Sequence, residues 1–159
     1  MKLYFLRHGI AADRDEFDGS DAERPLTSEG RKCMEREAKG MEDLGVAPDR
    51  IITSPLKRAK ETAKIVAERL HLEDKLVEDD RLAGDFDAEC AADILRENGN
   101  AQSLMFVGHE PDFSETIGEL VGGASIDLKK GGLARIDLDA ESSTRGKLVW
   151  LLPPKALMR

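Results

Sequence analysis

Cysteine is scarce in this chain: Cys33 and Cys90 are the only two among 159 residues, and neither has a CxxC or Cys/His spacing beside it. That excludes a disulfide framework and gives no zinc-ligand pattern, so a reducing cytoplasm is the expected compartment. Long apolar runs are missing too. Met1–Leu6 is too short for a signal-peptide core and turns polar at Arg7, and nowhere do 18 apolar residues follow one another, so neither secretion nor a membrane span is expected. Positive charge is in deficit, with 24 Lys and Arg against 32 Asp and Glu for a net charge of −8. A surface of that sign repels polyphosphate, so no nucleic-acid partner is expected. Internal repeats, linkers and low-complexity segments are lacking, and so are the GxxxxGK[ST] and GxGxxG loops of nucleotide sites. What remains, 40% apolar and 35% charged residues over 159 positions, suits one domain spanning residues 1–159 with a single sizeable core.

Short apolar runs carry the fold. Leu3–Leu6 and Ser103–Val107 have the pattern of strands buried on both faces, Arg50–Thr53 is a β-branched strand run, and Leu76-Val77 is a shorter candidate. Between them lie helical spacings: Met34, Ala38, Met41 and Leu44 after a Thr27 cap; Leu56, Ala59, Ala63, Val66 and Leu70 after Ser54 as cap and Pro55 at the first helical position; Ala91, Ile94 and Leu95 after Asp87; Phe113, Ile117, Leu120 and Val121 after Pro111. Leu133–Leu138 and Leu148–Leu152 flank a polar turn with Ser142, Ser143 and Gly146 and read as an antiparallel pair. The sum predicts an α/β three-layer sandwich, a mostly parallel sheet between helices with that antiparallel pair at its C-terminal end. Residues 10–25 have no period and read as a solvated acidic loop.

Three predicted strands end in polar residues that a structural role does not require: Arg7-His8-Gly9, Ser54-Pro55-Leu56-Lys57-Arg58 and Gly108-His109-Glu110-Pro111. Parallel strands bring such ends to one edge, where α/β sheets bind ligands. Two Arg, two of the chain's three His and two helix N-termini would then share a pocket built for an anion such as phosphate. Neutral imidazole is a competent nucleophile that neighbouring guanidinium charge keeps unprotonated. His8, between Arg7 and the permissive Gly9, is the expected nucleophile, with His109 as donor and charge stabiliser. Such chemistry calls for no metal and no cofactor.

The same residues resemble the histidine phosphatase superfamily, with its phosphoglycerate mutase-like fold, whose hallmark is Arg-His-Gly after the first strand. The likeness is nearest to the small bacterial phosphohistidine phosphatases of the SixA type. It runs through Arg24-Pro25-Leu26-Thr27 with Gly30, Thr53-Ser54-Pro55, Arg58-Ala59, Thr62-Ala63, Phe106–Pro111, Gly132-Leu133-Ala134 and Trp150–Lys155. The resemblance implies His8 as phospho-acceptor, Arg7 and Arg58 as phosphate binders and His109 as second histidine. It also implies a signal-transduction role, acting on a phosphorylated protein such as a histidine phosphotransfer domain or phosphocarrier. Superfamily members that cleave phosphate esters add a Glu in a stretch like Arg-Leu-x-Glu; here Arg81-Leu82-Ala83-Gly84 has glycine at that place. An alkoxide leaves poorly without a proton, whereas a phosphorylated imidazole leaves more readily, so the absence favours a P–N substrate. Asp79, Asp80, Asp85 and Asp87 crowd the same segment and keep a phosphomonoesterase or mutase open as an alternative, as is a non-catalytic phosphoprotein-binding module. The chain length leaves nothing for a lid over the pocket.

Other signals read as structure. Cys90-x5-Arg96 has the spacing of a cysteine phosphatase loop but falls on a helical pattern that would use its N–H groups internally. Asp137-Leu138-Asp139 reads as a strand end, Gly122-Gly123 and Gly131-Gly132 as turns, and His71 as a helix terminus. Thr27 and Ser54 read as helix caps before phosphate ligands.

Overall fold

The structure, a computed structural model, describes residues 1–139 and 144–159. The expected turn residues Ser142 and Ser143 lie outside them. Six strands form one sheet: β1 (Lys2–Arg7), β2 (Arg50–Thr53), β3 (Leu76–Glu78), β4 (Ser103–Gly108), β5 (Leu133–Leu138) and β6 (Gly146–Leu152), in the order β3-β2-β4-β1-β5-β6. The first four in that order are parallel; β5 and β6 are antiparallel additions on the β1 side. Among the described residues five α-helices cover the sheet: α1 (Ser28–Asp43), α2 (Lys57–Leu70), α3 (Ala88–Glu97), α4 (Asp112–Leu120) and the short α5 (Pro154–Leu157).

The alternation of side chains along β1 and β4 divides the core. Leu3, Phe5, Leu104 and Phe106 face α3 and α4; Tyr4, Leu6, Met105 and Val107 face α1, α2 and α5. Because both faces are covered, β4 is buried along its whole length. Phe5, Phe86, Phe106 and Phe113 meet edge-to-face with centroids 5.2–5.6 Å apart, an arrangement their quadrupoles favour. Each large buried side chain of this kind contributes about 1.5–3 kcal/mol from burial. The three-layer sandwich expected from the sequence is therefore present.

Several boundaries differ. The α1 cap is Thr27, whose hydroxyl accepts the Gly30 N–H, but the helix stops at Asp43 and leaves Leu44 exposed rather than on the apolar stripe. α2 begins at Lys57 with Leu56 as its cap, not at Pro55. The Ser54 hydroxyl is spent on the Leu56 N–H and on His109, which sets the helix start two residues later. Pro111 is the cap of α4 and not its first residue. His71 closes α2 in the left-handed region at φ 58°, and Cys90 and Arg96 lie on helix α3, which confirms that neither forms a phosphate loop. Among the described residues no helix is long and apolar enough to cross a membrane.

Candidate functional site

The strand order creates the crevice. From β1 the chain crosses one face through α1, and from its neighbour β4 it crosses the other through α4, so the two exits diverge and leave an opening beyond their carboxyl ends. Arg7 and Gly108 are partners in register, and the ladder runs one step further as the His8 N–H donates to the Gly108 carbonyl at 3.1 Å. His8 and His109 thus come side by side, ring centroids 5.3 Å apart and planes inclined 55°, with 7% and 8% of their surfaces exposed. Arg58 reaches the same place from the first turn of α2, and His109-Glu110 immediately precede α4, so both expected helix N-termini stand at the cleft. All four predicted site residues line one cleft of about 410 Å³.

Hydrogen bonds fix the reactive atoms. His8 Nδ1 lies 2.7 Å from the Gly9 carbonyl, which can only accept, so Nδ1 carries the hydrogen and Nε2 keeps its lone pair. The Gly9 N–H donates to Thr62 Oγ1 and Thr62 donates to the Arg58 carbonyl, tying the His8-Gly9 loop to α2. A Cβ at residue 9 would lie 2.8 Å from Met34, so the close approach calls for glycine. His109 Nε2 is 2.8 Å from the Ser54 hydroxyl. With Nε2 accepting from that hydroxyl, Nδ1 bears the hydrogen and is a free donor. His109 Nδ1, Arg7 Nε and Arg58 Nε are buried without partners among the described residues, three donors available to an anion.

Electrostatics keeps both imidazoles neutral. Burial, then the nearby His109, Arg58 and Arg7 charges, pushes His8 down to about 3 against the raising effect of its Gly9 bond. Burial and then Arg58 hold His109 down at about 4. Arg7 is anchored by NH1 to the Leu128 carbonyl at 3.0 Å, and Arg58 by NH1 and NH2 to the Asp21 carbonyl and carboxylate.

Residues 10–25 do more than the solvated loop expected of them. A bridge from Ala11 to Leu26 and the bond from Ala12 N to Pro25 O fold the segment back. Ala11 to Arg14 and Arg24 then line the cleft together with Glu110 and Lys130. Asp21 pairs with Arg58, Arg24 and Arg14; burial raises its carboxyl pKa, but Arg58 and Arg24 outweigh that and hold it below the usual range. The isolated cations Arg14 and Arg24 in an acidic run were the available signal. None of Asp79, Asp80 and Asp85, weighed as acids, lines the cleft. Asp79 is bound instead by Arg81 through its main chain and guanidinium, which lowers its pKa and keeps it ionised. The carboxylates that do line the cleft are Asp13 and Glu110.

A buried pair of histidines flanked by arginines stands at the carboxyl edge of a mostly parallel α/β sheet, an arrangement suited to holding an anion. The chain belongs to the histidine phosphatase superfamily, branch 1, whose family model matches residues 3–119. An uncharacterized protein of Picosynechococcus sp. strain PCC 7002 is 34% identical over 99% of both chains. The phosphohistidine phosphatase SixA of Escherichia coli K12 is 27% identical, with 97% of this chain and 94% of that protein covered. Among solved structures, the protein histidine phosphatase SixA complexed with tungstate superposes with a TM-score of 0.87 at 26% identity over 99% of each chain. Within the superfamily the chain is thus similar over nearly its whole length to proteins of the SixA kind.

Proposed function

We propose that the protein is a phosphohistidine phosphatase that removes the phosphoryl group from a histidine on another protein, working without a metal. The observation that carries this reading is His8: buried, neutral, its Nδ1 committed to Gly9, its Nε2 free beside His109 in a cleft lined by Arg7 and Arg58. The guanidinium forks and His109 Nδ1–H would hold the phosphoryl oxygens, supplying the charge that a metal supplies elsewhere. In the first step His8 Nε2 bonds to phosphorus as the P–N bond of the substrate breaks; the departing imidazole keeps the electron pair and takes up a proton. In the second, water attacks the phosphohistidine, the P–Nε2 bond breaks, and inorganic phosphate leaves while Nε2 regains its lone pair. The P–N class is favoured because Gly84 stands where ester-cleaving relatives place a glutamate, and the likeness to SixA supports a phosphoprotein substrate such as a histidine phosphotransfer domain or phosphocarrier of a signalling relay. The half-buried free thiols Cys33 and Cys90 accord with a cytoplasmic setting.

A phosphomonoesterase is the second reading, because Asp13 and Glu110 line the cleft and supply carboxyl groups there. The test compares phosphate release from a phosphorylated histidine phosphotransfer domain with release from sugar phosphates, phosphoglycerate and a phosphoserine peptide, using wild type and His8→Ala, with and without EDTA. Selective release that requires His8 and ignores EDTA is expected, with an acid-labile phosphate on His8. Preference for an ester moves the protein to the second reading, and equal activity in His8→Ala overturns both.

A further inference from the structure

Glu37 has no part in the chemistry above, yet its placement is unusual. It lies on α1 with 1% of its surface exposed, and among the described residues neither carboxyl oxygen has a hydrogen-bond partner. A Cβ on Gly131 would sit 2.6 and 2.8 Å from the two oxygens, so the carboxyl packs directly against that glycine, whose φ is +76°. The Gly131 N–H donates to the carbonyls of both Arg7 and His8 at 3.1 Å, and the Gly132 carbonyl accepts the Arg7 N–H at 3.1 Å. The turn therefore holds the backbone of two of the four cleft residues from one side, and Glu37 is the group behind it.

We infer that Glu37 is a positioning residue that serves only as the neutral acid, its uncharged carboxyl backing the Lys129–Gly132 turn that fixes Arg7 and His8. The inference rests on the phosphatase reading for its kinetic consequence. Charges on the surrounding elements are engaged elsewhere: Arg36 with the Met158 carbonyl and Lys39 with Asp43 on α1 itself, Arg31 with Glu61 of α2, Lys129 with Asp127 in the turn, and Arg135 with Asp137 on β5. Lys130 lines the cleft, and the Tyr4 hydroxyl of β1 is electrostatically coupled to Arg135 and Asp137. None of these groups acts on Glu37; burial alone pushes its pKa up to about 8. An ionised carboxylate there would be buried, unpaired and unsolvated, a state that the structure escapes only by moving α1 or the turn. As pH rises through 8 the proton is lost and the support under Arg7 and His8 is lost with it.

The experiment follows kcat and KM for phosphoramidate, a small P–N substrate, from pH 6 to 9.5 in wild type and Glu37→Gln, together with the amide NMR signals of Arg7, His8 and Gly131. Wild-type kcat should fall with a midpoint near pH 8, reaching roughly 30-fold below its plateau at pH 9.5, with KM changing less. The three amides should shift with the same midpoint. Glu37→Gln should keep the neutral-pH rate and lack both the kinetic limb and the amide transition. A wild type flat to pH 9.5, or an unchanged limb in Glu37→Gln, overturns the inference. Absence of any His8-dependent turnover refutes the phosphatase reading instead, and the wild-type amide titration still decides the role of Glu37, as it does if the variant does not fold.

Discussion

Lowering the pH should destabilise this protein through its two cleft histidines. In the unfolded chain both titrate near 6.5, whereas in the fold they stay neutral down to about 3 for His8 and about 4 for His109. Because the folded values lie below the unfolded ones, the unfolded state binds more protons as pH falls below 6.5, and stability present at neutral pH is lost on the acid side. At pH 5 the unfolded form of each histidine is favoured by about 1.5 decades, so each costs about 2 kcal/mol and the pair about 4 kcal/mol relative to pH 7.5. Against a domain stability of about 5–15 kcal/mol that is a large share. The assay is urea unfolding at pH 7.5 and 5.0 for wild type and His8→Asn/His109→Asn. Carboxylates such as Asp21 and Asp79, whose shifts are downward, and Glu37, whose shift is upward, titrate in both proteins and cancel in the comparison. The wild type should lose about 4 kcal/mol more than the double variant over that interval. Equal losses in the two proteins, or His8 and His109 imidazole nitrogen NMR signals that protonate near 6.5 in the folded wild type, would refute the reasoning.

Other perturbations separate site from scaffold. Arg58→Ala should lower kcat/KM by an amount equal to about 2–4 kcal/mol of transition-state stabilisation, with the protein still folded by circular dichroism. Asp79→Asn should leave kcat for every substrate unchanged, because its carboxylate is bound to Arg81 away from the cleft, while lowering stability by about 1 kcal/mol in urea melts. Gly40→Ala should destabilise by about 1–3 kcal/mol, since the added methyl runs into the Leu157 carbonyl where α5 docks on α1. A thermal melt unchanged by that substitution would remove α5 from the folded core.

The parts of the fold legible in the sequence are those whose signal is local. Leu3–Leu6 and Leu104–Val107 read as doubly buried strands because helices cover both faces, and the polar residues that follow them, His8 and His109, could be assigned to one edge by parallel topology alone. α5 was not anticipated, since four residues carry no period; Leu157 is buried only because Gly40 leaves room for its backbone. Ser54 reads as a cap because serine before proline has that signature, and the histidine that claims its hydroxyl lies 55 residues away. The cleft wall of residues 11–14 with Arg24 was hidden for the same reason: an acidic loop reads as solvated until a bridge such as Ala11 to Leu26 folds it inward.

Glu37 shows how two local signals can conflict and which prevails. Met34, Ala38 and Met41 stand at the first, fifth and eighth positions of a helical stripe, and Glu37, at the fourth, completes the three-to-four spacing of its buried face. Charge argues for solvent, but rotating α1 to expose Glu37 would expose the two methionines and Ala38, all fully buried. Burying two methionines, about 1.5–3 kcal/mol each, offsets the cost of holding one carboxyl protonated at pH 7, about 3 kcal/mol for a value raised from 4.5 to about 8. The spacing therefore prevails over the charge, and the residue enters the core as an acid rather than as an ion. The conflict is resolved by a proton, and that makes the resolution dependent on pH.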